Sequence, residues 1–190
     1  EVFALEKAGD LPAAEAAAAA FIAAHPAGDR LPAMRFALGE YRFRQANHAG
    51  AAEAFDAFLK AHADHPLAPE AFYKLGWCAR HANQPAEARR HFETVVRQYP
   101  QSPPAAESAL RAGQSCEELQ DTAGAAENYA AAVKLGGEGE FARQGLLALA
   151  TDGETYGHHF KFGEMALAFA LAQARAGEQG VELTNYAAYL

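Results

Sequence analysis

Small and large apolar positions recur along this chain at a step far longer than a helical turn. With Gly39, Gly76 and Gly113 as origins 37 residues apart, Ala51, Ala88 and Ala125 fall at +12, Phe55, Phe92 and Tyr129 at +16, and Phe58, Val95 and Ala132 at +19. One step earlier the same places hold Ala14, Ala18 and Phe21. A unit of this length holds two helices, A and B, which bury their apolar faces only by stacking on neighbouring units. Gly, Pro, Asn and Asp collect at 8–12, 46–50, 82–85 and 120–124, where helix A must stop. The pattern then predicts helices B over about 12–24, 50–62, 85–98 and 123–134, with the connectors HPAGDRLP, HADHPLAP and YPQSPP after the first three. Small residues at zero and +12 let A and B approach, while +16 and +19 put larger side chains on the buried side of B. Each proline suits a helix exit or the first turn of the next helix.

The segment AFYKLGWCARHANQPAEARRHFETVVRQYP, residues 71–100, with Phe72, Leu75, Gly76, Ala88, Phe92 and Pro100 in order, resembles a tetratricopeptide repeat. The resemblance covers about 1–137 and implies an all-α solenoid of about four helix pairs. Val2 already occupies the glycine place, so the first unit lacks most of its helix A and the chain reads as an excerpt or a processed product. The step is three residues longer than the common repeat of ~34. With connectors such as YPQSPPAAESALRAG it resembles the extended repeats of bacterial envelope proteins that bind Tol components or assist outer-membrane assembly. That likeness leaves bacterial cytoplasm and periplasm both open.

On helix A, offsets -3, +1, +4 and +5 share one side, which in such repeats lines the concave groove. They give Phe36, Glu40, Phe43 and Arg44; Tyr73, Trp77, Arg80 and His81; and Leu110, Gln114, Glu117 and Glu118. Rings supply contact area and arginine grips carboxylates, so this set suits an extended or helical peptide from a protein partner. The alternative is that Phe36 and Tyr73 pack between repeats and the charges are only solvated.

Composition narrows the function further. With 51% hydrophobic residues, much of that alanine, the larger side chains Phe36, Phe55, Trp77, Phe92, Tyr129 and Phe169 must carry the packing. A net charge of -8 opposes a general nucleic-acid binder, which needs a basic surface, and the run Arg80, Arg89, Arg90 and Arg97 reads as a solvated helix face. Cys78 and Cys116 match no zinc spacing and read as buried thiols, with a disulfide between neighbouring helices as the alternative. No apolar run is long enough to span a bilayer, no targeting peptide is visible, and His62 with His65 lacks further ligands, so neither metal nor cofactor is expected.

Beyond Gly137 the vocabulary changes. LLALATDGETYGHHFKFGEMALAFAL, with LTNYAAYL after it, is similar to a segment of family 57 glycoside hydrolases of the α-amylase or α-mannosidase-like kind, over about 145–190. The resemblance implies that 138–190 is part of an α/β barrel-like domain, with a strand ending at Asp152 as acid/base, Glu154 as its active-site neighbour, and His158 and His159 as substrate contacts. A third histidine is replaced by Phe160, and no nucleophile strand lies in 1–144, so the parent protein would be the enzyme on α-glycans and this chain alone inactive. Read from the residues, Asp152 and Glu154 equally suit an acidic loop capping the next helix, and FARQGLLALA has helical spacing. Strand and helix both stay open for 146–151, and a further helix is predicted near 162–176.

Overall fold

The computed structural model describes residues 2–155. They form α1 (Val2–Lys7), α2 (Leu11–Ala24), α3 (Leu31–Arg44), α4 (His48–Ala61), α5 (Ala68–His81), α6 (Pro85–Gln98), α7 (Ala105–Glu118), α8 (Thr122–Gly136) and α9 (Glu140–Thr155). Each helix packs on the next, and α7 also touches α9. The odd-numbered helices through α7 are the A helices and the even-numbered the B helices of the predicted units.

The periodic pattern is a packing device. A β-carbon added to Gly39, Gly76 or Gly113 would stand under 3.0 Å from ring atoms of Phe55, Phe92 and Tyr129 respectively, so the aromatic at +16 lies against the bare backbone at zero. All three rings are at most 1% exposed, and Ala51, Ala88 and Ala125 at +12 are fully buried. Replacing the glycine removes the room that lets A and B approach at this ring.

Turn chemistry repeats with the same step. Gly9, Ala46, Asn83 and Gln120 all take positive φ at the end of helix A. At Ala46 the following Asn47 amide bonds back to the Arg42 carbonyl at 2.9 Å, and Gln84 and Asp121 bond likewise to Ala79 and Cys116. These are left-handed caps that satisfy the last carbonyls of the helix. The side chains of Asp10, Asn47 and Asp121 then accept from the Ala13, Gly50 and Gly124 amides at 3.0–3.1 Å and start helix B, while Gln84 in the same place makes no such bond. Prolines stand in the first turn of α2, α3, α5 and α6.

Helical stacking runs through the place where the repeat signature fades. Gly145 of α9 lies so close to α8 that a β-carbon there would be 2.9 Å from the Tyr129 carbonyl. Residues 146–151 are therefore helix, and not the barrel strand ending at Asp152 that the glycosidase resemblance implies: α8 offers an apolar face to pack on, and no strand is present among the described residues to pair with. Asp152 and Glu154 lie on the last turns of α9. His158, His159, Phe169 and the helix predicted at 162–176 lie outside the described residues.

Candidate functional site

One face of the A helices is left open by the B helices and is laced from one unit to the next by charged side chains. Lys74 on α5 reaches the Glu40 carboxylate on α3 at 3.1 Å, and its Nζ stands 5.0 Å from the centre of the Phe43 ring. Arg80 on α5 reaches forward to Glu118 on α7 at 2.8 Å. Arg111 on α7 reaches back over the Trp77 ring at 5.0 Å while Glu107 and Gln114 of its own helix hold it at 3.0 and 3.1 Å. Towards the N-terminus Arg44 on α3 bonds Glu6 on α1 at 2.8 Å.

Trp77 is the centre of this row. The Arg80 guanidinium is 5.9 Å from its ring on the same helix, so the indole has two cations beside it. From below, Phe92 meets it edge-on at 6.2 Å, and Tyr73 does so at 6.3 Å. The core therefore fixes the ring and leaves its rim half-buried. Burial raises the Glu70 carboxyl above its ordinary range; Lys74 opposes the shift, and the Glu40 and Glu107 carboxylates add to it. The Tyr73 phenol is raised by burial and by Glu107. Carboxylates and cations are interspersed along the face, so it offers apolar contact area and paired charges of both signs rather than a single-signed field.

The structure divides the predicted groove residues. Phe36 packs on Phe55 and Phe58 at 5.4 and 5.7 Å, and Leu110 is 2% exposed, so offset -3 goes under the face and into the core at these two units. Glu40, Phe43, Tyr73, Trp77, Arg80 and Gln114 are half-buried on the open face, and Arg44 and Glu117 are exposed. His81, exposed, stacks on His48 of α4. Offsets -2 and -6 are missing from the sequence reading: Lys74 and Arg111, Glu70 and Glu107 lie on the same helix side and provide two of the cations and two of the acids. The signal was there, since both offsets repeat the sign of the charge in two consecutive units. Cys78 and Cys116 are buried free thiols, raised by burial to about 12 and about 11, so the disulfide alternative is not what forms. Among the described residues no three His, Cys, Asp or Glu side chains converge as metal ligands, and no helix is long and apolar enough to cross a membrane.

Comparison with known proteins agrees with this geometry. A tetratricopeptide repeat family model matches residues 36–103 and 82–142, together more than half of the chain. No curated protein matches the sequence. Among solved structures, a tetratricopeptide repeat protein from Parabacteroides merdae superposes with a TM-score of 0.68 at 16% identity over 92% of this chain, which spans 64% of that protein, less than two thirds of its length. MamA gives 0.63 at 16% identity over 90% of this chain and 93% of its own. Pseudomonas aeruginosa pilF gives 0.63 at 17% identity over 100% of this chain and 79% of its own. With the glycine-to-aromatic interlock, the repeated turn caps and the family match in agreement, this chain belongs to the tetratricopeptide repeat family.

Proposed function

We propose that the chain is a protein-interaction scaffold whose A-helix groove holds a peptide segment of a protein partner across Phe43, Tyr73, Trp77, Arg80 and Arg111. The observation that carries this is Trp77, a half-buried indole braced from below by Phe92 and flanked by two arginines, in a face where every cation is already paired with a carboxylate. A large ring held rigid by the core loses little entropy on binding, and arginines that can exchange one carboxylate for another give orientation to a peptide of mixed charge. Such a peptide would set an apolar side chain on Trp77 and acidic groups at Arg80 or Arg111. The 37-residue step favours the envelope adaptor version of the scaffold. For the α-glycan function nothing here speaks: the glycosidase likeness is not shown by the family or structural matches, and α9 continues the stack where it requires a strand.

The test is a selection of peptides from a random library on the intact chain, followed by the double variant Trp77→Ala with Arg80→Ala. Loss of binding with unchanged helical circular dichroism is expected. Retained binding by the folded double variant would move the site to another face.

A further inference from the structure

Beside Phe43 of the groove, α4 and α6 flank an open cleft of 630 Å³ floored by Leu75, Cys78 and Ala79 of α5. At its mouth the rings of His48 and His81 stack 3.8 Å apart and 3° from parallel. They join two units, because His48 is the first residue of α4 and His81 the last of α5. Phe43 of α3 meets both rings edge-on, at 5.1 and 6.1 Å. The Nδ1 of His48 is buried without a hydrogen-bond partner.

We propose that this histidine stack is a proton-sensitive joint between the second and third helix pairs: neutral rings hold the end of α5 against the start of α4, and protonation of both drives them apart and widens the cleft. The surroundings supply little to offset the charge. From α3 the contact is the apolar Phe43 ring, whose other neighbour is the Lys74 ammonium at 5.0 Å. On α5 the adjacent Arg80 is taken by Glu118. Across the cleft, α6 presents Glu87 bound to Arg90, and the buried His91; α4 presents Asp56 about two turns further along. Among the described residues no hydrogen bond joins a carboxylate to either stacked ring. A positive charge on His48 also stands at the positive end of the α4 dipole, where a cation is disfavoured, and burial and the His81 charge both hold the His48 imidazole below its ordinary range. Histidine is the side chain whose charge changes nearest neutrality.

Amide hydrogen exchange on the intact chain, corrected for intrinsic rates, tests the joint between about pH 7.5 and about pH 5. Protection at 47–51 and 78–84 is expected to fall about tenfold or more on acidification, while 105–118 keeps its own. The double variant His48→Phe with His81→Phe keeps stacked rings without protons and is expected to hold its protection at both pH values. Unchanged protection in the natural chain, an equal loss along the whole stack, or the same local loss in the phenylalanine pair would overturn the proposal. Should that pair fail to fold, the single variant His48→Phe in the same exchange experiment decides: protection that holds at both pH values supports the joint, and the same local loss contradicts it.

Discussion

Replacing Gly76 by alanine opposes two effects that the structure lets one weigh. In a helix interior the change is worth about 1 kcal/mol in favour of folding, because alanine is the better helix former. Against this, the new methyl would stand under 3.0 Å from three ring atoms of Phe92. The ring has little room to retreat, since Phe92 is 0% exposed and lies against Tyr73 and Trp77 at 6.0 and 6.2 Å. Overpacking of this kind costs about 1–3 kcal/mol, and an enclosed aromatic belongs in the upper part of that range. The net expectation is a loss of about 1–2 kcal/mol, or a melting point lower by roughly 2–8 °C for a chain of this size. Thermal denaturation followed by far-ultraviolet circular dichroism measures it. The double variant Gly76→Ala with Phe92→Leu should be more stable than the sum of the single changes by at least about 0.5 kcal/mol, because the shorter side chain vacates the space. A Gly76→Ala chain that melts higher than the natural one, or strict additivity in the double variant, would refute the interlock as the reason for the periodic glycine.

Three further outcomes follow from the same geometry. Gln84→Asp fills the one helix-B start that lacks a side-chain cap and should stabilise by about 0.5–1 kcal/mol in urea denaturation, whereas Asp121→Ala should cost about 1 kcal/mol, the cap dominating because its Arg89 pair is about a third exposed. His91 is held below the ordinary histidine range first by burial and then by Arg90, with Asp56 and Glu87 opposing, so the unfolded chain takes up its proton first as pH falls. The stability present above about pH 6.5 is then lost on acidification through the lower folded value, and the drop in melting point should be smaller in His91→Gln. Burial of Cys78 and Cys116, with thiols raised to about 12 and about 11, predicts that neither reacts with iodoacetamide at neutral pH until denaturant is added; rapid labelling of the native chain would contradict their placement.

Most of the helical frame was legible because each unit states it several times. Glycine at zero, alanine at +12 and the ring at +16 are one physical contact written three times, and the B helices begin and end within two residues of the prediction at 11–24, 48–61, 85–98 and 122–136. The face of helix A was legible only in part. Offset -3 lies on the boundary between core and surface, so the same position is buried in Leu110, core-packed in Phe36 and half-exposed in Tyr73. Lys74 and Arg111 are absent from that reading because their partners Glu40 and Trp77 sit on the preceding unit, across the helix gap. The His48 and His81 stack joins the start of one helix to the end of another, and neither helix pattern marks it. At 146–151 local sequence supported helix and family likeness supported strand; the apolar face of α8 decided for helix.

The groove claim has a built-in reporter, because Trp77 is the only tryptophan in the sequence. A library-selected peptide titrated into the intact chain should shift the indole emission and shield it from acrylamide quenching, with both effects saturating at the stoichiometry of binding. A peptide that binds with the same affinity while leaving Trp77 emission and quenching unchanged would show that the A-helix face is not the binding surface.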